Sequence, residues 1–180
     1  LPGRRKMNRQ QGFTLIELLV TIAVLGLLLG IAVPSFQDML RNSKVTSITN
    51  ELVASLQMAR SEALRRNATV VLCRADTALT NCAGTFGGAG GSFRNGWIVH
   101  DKATPTNVLR KTAAPTKLSA SDTLSGPNVI EFNARGNADE GVAGSDILIA
   151  VQLQGCRNDE RREIRVLPSG SIVTQRVNCQ

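Results

Sequence analysis

Tyrosine is absent from this 180-residue chain, Trp97 is its one tryptophan, and five phenylalanines complete the aromatic set. A folded core must therefore be built from Leu, Ile, Val and Ala, densely packed from small side chains. Histidine occurs once, at His100, and no Cys-x-x-Cys pair exists. Ligand spacing thus argues against a zinc site, and no nucleophile with a base beside it can be read from the sequence. His100 adjoins Asp101 on a predicted strand, where neighbours point to opposite faces, so the two side chains do not form a dyad. The glycine-rich stretch from Gly84 to Gly91 lacks the Gly-Lys-Ser/Thr ending of a phosphate loop and reads as a flexible surface connection. No internal repeat and no βαβ alternation is present, which argues against a nucleotide-binding parallel sheet. These absences predict a protein that is not an enzyme and carries no metal or other cofactor.

The net charge of +7 comes from 21 basic and 14 acidic residues. Arg4, Arg5, Lys6 and Arg9 fall in the first twelve positions with no acidic neighbour, and without that stretch 17 basic residues face 14 acidic ones. The remainder is only mildly basic, which weakens a nucleic-acid reading drawn from charge alone.

From Phe13 to Val33 the chain is apolar except for Glu17. As a helix this run reaches about 31 Å, the thickness of a bilayer's hydrocarbon core. Basic residues before it, and Pro34 and Asp38 after it, predict a cytoplasmic N-terminus with everything beyond exported. A cleavable secretory signal is disfavoured, because the run is long and no small-residue cleavage site follows it. Glu17 is the anomaly. A carboxylate near a bilayer centre costs about 2.5–3.5 kcal/mol, so either it snorkels to the interface or a partner compensates it.

Beyond Pro34 the pattern turns amphipathic. Ile48, Leu52, Leu56, Ala59 and Ala63 recur at steps of three and four, while Arg60, Glu62, Arg65 and Arg66 lie off that stripe. Ser35 is a candidate cap for a restarted helix, and Asn67 ends a helix running from Phe13 to about Arg66. Seven strands follow by alternation and turn signals, at 69–73, 96–100, 108–112, 129–133, 147–153, 163–167 and 171–177. Turns are expected at Ser125-Gly126-Pro127, Arg135-Gly136-Asn137 and Pro168-Ser169-Gly170, the last a hairpin. The fold class is α+β, a long N-terminal helix packed on an antiparallel sheet. Four regions result: a leader at 1–12, a transmembrane half-helix at 13–33, an amphipathic half-helix at 34–68 and a β-rich head at 69–180. Trp97 is read as a core or loop-anchoring aromatic.

Cys73, Cys82, Cys156 and Cys179 all lie in the exported part, and four cysteines permit three pairings. Adjacent pairing, Cys73 with Cys82 and Cys156 with Cys179, is favoured. Each bridge contributes roughly 3 kcal/mol by chain-entropy arithmetic. Arg157, Arg161, Arg162, Arg165 and Arg176 cluster near the C-terminus and are candidate phosphate contacts for DNA, although Asp159, Glu160 and Glu163 interleave with them.

Gly12-Phe13-Thr14-Leu15-Ile16-Glu17-Leu18 resembles the prepilin processing motif of type IV pilins. The resemblance implies cleavage after Gly12 by a prepilin peptidase and N-methylation of Phe13. Met7 would open a short leader ending at Gly12, with residues 1–6 upstream of that start. Glu17 becomes the fifth residue of the mature chain, where the family's carboxylate neutralises the N-terminal amine of a neighbouring subunit. Pro34 becomes the twenty-second, a position where pilin helices bend. Ala59-Arg60-Ser61-Glu62-Ala63-Leu64-Arg65-Arg66, Val70-Val71-Leu72-Cys73 and Gly96-Trp97-Ile98-Val99 are similar to the GspH/FimT branch. That branch implies a FimT/FimU-like minor pilin acting at the initiation or tip of a type IV pilus, or a GspH-like minor pseudopilin of type II secretion. A third reading is a DNA-binding minor pilin in DNA uptake. DNA-binding relatives carry arginines directly after the hairpin glycine, whereas this chain continues Gly170-Ser171-Ile172-Val173. The implied partners are other pilins or pseudopilins, the peptidase and the inner membrane. The implied location is a single pass of that membrane with a periplasmic head, then the pilus or pseudopilus.

Overall fold

The computed structural model describes residues 13–84, 91–113, 122–139, 144–157 and 160–179. The leader with Gly12, most of the glycine-rich connection and Asp159 lie outside them. Helix α1 runs from Leu15 to Arg66. It starts two residues later than the sequence suggests, because Thr14 occupies the cap and its Oγ1 accepts the Glu17 amide at 3.3 Å. The helix continues unbroken through positions 34 and 35, so Ser35 is an interior residue and not a second cap. A proline removes its own donor from the ladder and crowds the carbonyl four residues back, which a helix can absorb by bending without ending. At the far end Asn67 adopts a φ of 51°. The amides of Asn67 and Ala68 donate back to the carbonyls of Leu64 and Ala63, a left-handed cap that satisfies two orphan acceptors.

The chain divides into two compact units, one ending at Leu40 and the other running from Arg41 to Gln180. In the first, every side chain from residue 13 to 33 is exposed, including Phe13, Ile16, Leu27 and Ile31. Among the described residues α1 is the one helix long and apolar enough to cross a membrane.

In the second unit the helix shows a different geometry. Val45, Ile48, Leu52, Leu56, Ala59 and Ala63 form a stripe at three- and four-residue steps and are fully buried. Each of the two leucines contributes about 1.5–3 kcal/mol by leaving water. Two polar residues share the buried face without an unmet bond. Thr49 and Ser55 donate to the carbonyls of Val45 and Glu51, four residues back, and Ser55 Oγ accepts the Trp97 indole N–H at 2.9 Å. Trp97 is thus a core residue, stacked edge-on against Phe93 at 6.4 Å between ring centroids.

Around this stripe lie two antiparallel sheets where the sequence suggested one. The strands are β1 (Val70–Arg74), β2 (Gly91–Ser92), β3 (Gly96–Asp101), β4 (Val108–Ala113), β5 (Thr123–Gly126), β6 (Val129–Phe132), β7 (Ala138–Asp139), β8 (Ile147–Gln152), β9 (Arg161–Val166) and β10 (Ile172–Val177). One sheet has the order β4-β3-β1-β6-β7 and the other β10-β9-β8-β5-β2. All seven expected strands are present. The additions are β2 and β7, of two residues each and too short for alternation to reveal, and β5, whose Ser-Gly end carries a turn signal. Ser125 and Gly126, expected in a turn, belong to β5.

Register explains which residues face the helix. Leu72 pairs with Val99 and Ile130, and Val70 with Phe132, and all five belong to the main core. Their neighbours Val71, Cys73, Ile98 and Val129 point the other way into a smaller apolar cluster. From the second sheet Leu124, Ile147, Ile149, Val151, Ile164 and Val166 complete the main core. The hairpin between β9 and β10 turns at Gly170, with φ 77°. A Cβ there would run into the Gly136 carbonyl oxygen, so the turn requires glycine twice over.

Candidate functional site

The described residues of the processing motif run from Phe13 to Leu18, and Phe13 and Glu17 sit at the head of α1 with Phe13 exposed. Thr14 and Glu17 have the spacing of a capping box, with the acidic residue in the first turn where the helix dipole favours negative charge. That signal was available in the sequence and is a second reason, besides any partner, for a carboxylate at position 17. Pro34 lies within the continuous helix.

Both adjacent disulfides are formed, Cys73–Cys82 and Cys156–Cys179, with Cα atoms 5.5 and 5.9 Å apart. The first closes the loop after β1, helped by an isolated bridge between Ala75 and Cys82. Within that loop the Asp76 carboxylate accepts the Thr80 amide at 2.8 Å and its hydroxyl at 3.0 Å. The Thr80 amide hydrogen bond is the main reason the Asp76 carboxyl is held below its ordinary pKa. The second disulfide ties the loop after β8 to the C-terminal segment. Beside it the Arg41 guanidinium donates to the Gly155 carbonyl.

The five C-terminal arginines do not share one surface. On β9, Arg161 and Arg165 alternate with Arg162, so Arg162 points to the opposite face, where it is buried and donates to Asn42 Oδ1 at 2.8 Å. Arg161 pairs with Glu163 at 2.8 Å, and Arg165 with Asp146 at 3.5 Å. Arg176 pairs across the sheet with Arg162 and is exposed on β10, while Arg157 lies in the loop before β9. Two features escaped the periodicity reading. Arg60, nominally on the polar face of the helix, donates to the Ser169 carbonyl at 3.1 Å and lies against Gly136 and Gly170, so it braces two turns. His100 is buried, with Nε2 3.2 Å from Cys82 Sγ and Nδ1 2.9 Å from the Asp101 backbone carbonyl. Its contact is thus with the Asp101 main chain, not with the carboxylate. Cys73, Cys82 and His100 form a compact group of sulfur and nitrogen atoms. No sequence spacing signals it, because strand pairing brings His100 opposite Val71.

Residues 7–33 match the prokaryotic N-terminal methylation motif, and residues 49–170 match the family described as type II transport protein GspH. Among curated relatives, fimbrial protein Q of Moraxella bovis is 41% identical over 85 residues, covering 44% of this chain and 54% of that protein. The type IV major alpha-pilin of the same organism is 50% identical over 48 residues, covering 27% and 30%. A fimbrial protein of Pseudomonas aeruginosa is 38% identical over 65 residues, covering 36% and 42%. The chain thus spans about half or less of the length of these relatives. Among solved structures the type IV minor pilin FimU of Pseudomonas aeruginosa superposes with a TM-score of 0.52 at 21% identity, covering 74% of this chain and 89% of that one. A second crystal form of FimU gives 0.50 at 22% identity, covering 72% and 91%. The fold is therefore that of a pilin, a long helix on antiparallel sheets. With its family match spanning most of the second unit and a methylation motif at the start of its helix, the chain belongs to the GspH family of type IV pilin-like proteins.

Proposed function

We propose that the chain is a minor pilin, contributing to the initiation or tip of a type IV pilus. It is held in the inner membrane by residues 13–33 with an exported head. It is cut between Gly12 and Phe13 by a prepilin peptidase and methylated on Phe13. The observation that carries this reading is the apolar helix that opens at the methylation motif, with every described side chain from 13 to 33 exposed. Such a surface needs lipid before assembly and neighbouring helices afterwards. In the bundle Glu17 pairs with the Phe13 amine of an adjacent subunit, which offsets the burial of its charge. Pro34 gives the helix a point of bending for that packing.

The fimbrial and pilin relatives favour the pilus. The family match to a type II transport protein supports the second reading, a minor pseudopilin of type II secretion. DNA contact in uptake is the weaker alternative, since Arg161 and Arg165 carry acidic partners and Arg162 faces inward.

The test is intact mass and N-terminal analysis of the protein from its native membrane, with and without the peptidase. A chain beginning at methylated Phe13 only when the peptidase is present is the expected result, after which crosslinked partners separate pilus from secretion apparatus. A chain that stays uncut, or is cut on the far side of the membrane, rules the reading out.

A further inference from the structure

We infer that opening the Cys73–Cys82 disulfide turns this corner of the head into a zinc site, with Cys73 Sγ, Cys82 Sγ and His100 Nε2 as three protein ligands and solvent as the fourth. The three ligand atoms already lie within 4.8 Å of one another. Around a tetrahedral Zn2+ with Zn–S near 2.3 Å and Zn–N near 2.0 Å, such atoms are separated by about 3.5–3.8 Å. Once the sulfur–sulfur bond is gone, side-chain rotation alone spans that difference.

The imidazole is prepared for this role. A backbone carbonyl only accepts, so in the neutral imidazole the contact between His100 Nδ1 and the Asp101 oxygen places the proton on Nδ1. The Nε2 lone pair then faces Cys82 Sγ at 3.2 Å. A zinc-binding histidine typically donates its other N–H in this way, which fixes both tautomer and ring orientation. Position is fixed from both sides, Cys73 and His100 by the paired strands β1 and β3 and Cys82 by its bridge to Ala75. Cys73 and His100 are buried whereas Cys82 is half-buried, which leaves one side open for entry and for the solvent ligand. Cysteines at 73 and 82 with a histidine at 100 match no metal-binding spacing, and the fold alone assembles them.

The chemistry balances. A dithiol reductant passes two electrons and two protons to the disulfide, becoming a disulfide itself and leaving two thiols. Zn2+ then replaces the two thiol protons, which go to solvent, and forms two Zn–S bonds and one Zn–N bond, a site of zero net charge. Soft thiolates and an imidazole suit this ion over harder cations. Metal in the site and the disulfide are alternatives, so zinc would hold the loop closed in a head whose cysteines are not yet oxidised. The inference stands independently of which filament the chain joins.

The test uses the full chain in detergent, carrying Cys156→Ser and Cys179→Ser so that one cysteine pair remains, reduced without oxygen and titrated with Co2+ as a visible probe. The expected result is one Co2+ per chain with a sulfur-to-metal charge-transfer band and the strong visible bands of tetrahedral cobalt, displaced by Zn2+. His100→Ala should weaken binding at least tenfold, and the oxidised chain should bind none. The near-UV dichroism of Trp97 reports whether the reduced head is folded. No uptake, uptake equal in His100→Ala, or a reduced chain that unfolds and does not recover with Co2+ overturns the proposal.

Discussion

Residues 15–40 and 41–66 belong to one helix with one pattern of backbone bonds, yet they solve opposite problems. In the first stretch apolar side chains surround the axis and all those from 15 to 33 are exposed. In the second the buried apolar residues fall on a single stripe, joined there by Thr49 and Ser55, and most other positions are polar. The bonds that make a helix are satisfied within it, so the backbone is indifferent to its surroundings. Side-chain periodicity alone decides whether it seeks a sheet, a bilayer or other helices. Each half therefore has its own failure mode: the first can lose assembly without losing the fold, and the second can lose the fold without losing the membrane anchor.

The largest expected effect tests that separation. Glu17→Ala should abolish incorporation into filaments while leaving cleavage, methylation and the unfolding of the head unchanged. Filament fractions containing normal amounts of the variant would remove the proposed charge pair. Next in size is a pair of identical truncations. Leu52→Ala should destabilise the head by about 2–5 kcal/mol, followed by Trp97 fluorescence during denaturant unfolding in detergent. Leu25→Ala, whose side chain is exposed, should change the same transition by less than about 0.5 kcal/mol. Equal effects would mean that the two stretches do not act separately.

Much of this division was legible in the sequence. Ile48, Leu52, Leu56, Ala59 and Ala63 could be picked out because helix period and burial coincide, and all five are buried. Asn67 marked the helix end, Gly170 marked the hairpin, and adjacent pairing named both disulfides. What could not be read is whatever depends on contacts between distant segments. Alternation tells which strand residues share a face, but not that the strands part into two sheets. The brace from Arg60 to Ser169 joins residues 109 apart in sequence. The His100 contact with Cys82 depends on strand pairing and a loop fold. The cap at Thr14 is legible too, since the capping-box spacing is local.

A glycine comparison sharpens the same contrast, because one substitution should have opposite signs in the two regions. At Gly170 a methyl group meets the Gly136 carbonyl and φ is 77°, so Gly170→Ala should cost the head about 2 kcal/mol in unfolding. At Gly26 a Cβ meets nothing within 4 Å, and Gly26→Ala should raise local helix stability by about 0.5–1 kcal/mol. Amide-exchange protection around residue 26 reads that gain. A Gly170→Ala head as stable as the parent would show that the two turns can separate freely.

The smallest effect concerns pH, and it should be confined to the head. The Asp76 carboxyl is lowered by its hydrogen bonds to Thr80, so its contribution to the closed loop is fully present above its ordinary value of about 3.9. It is lost as pH falls through the lower, folded-state value. Exchange protection of the Thr80 amide, taken relative to the intrinsic rate at each pH, should therefore fall several-fold on acidification below about pH 4. Amides in the first stretch of the helix should keep theirs. In Asp76→Asn the Thr80 protection should be weaker at neutral pH and flat on acidification, since the amide side chain cannot titrate. An acid response in that variant equal to the parent's would assign the effect to some other group and remove Asp76 as the residue that holds the Thr80 turn inside the loop closed by Cys73–Cys82.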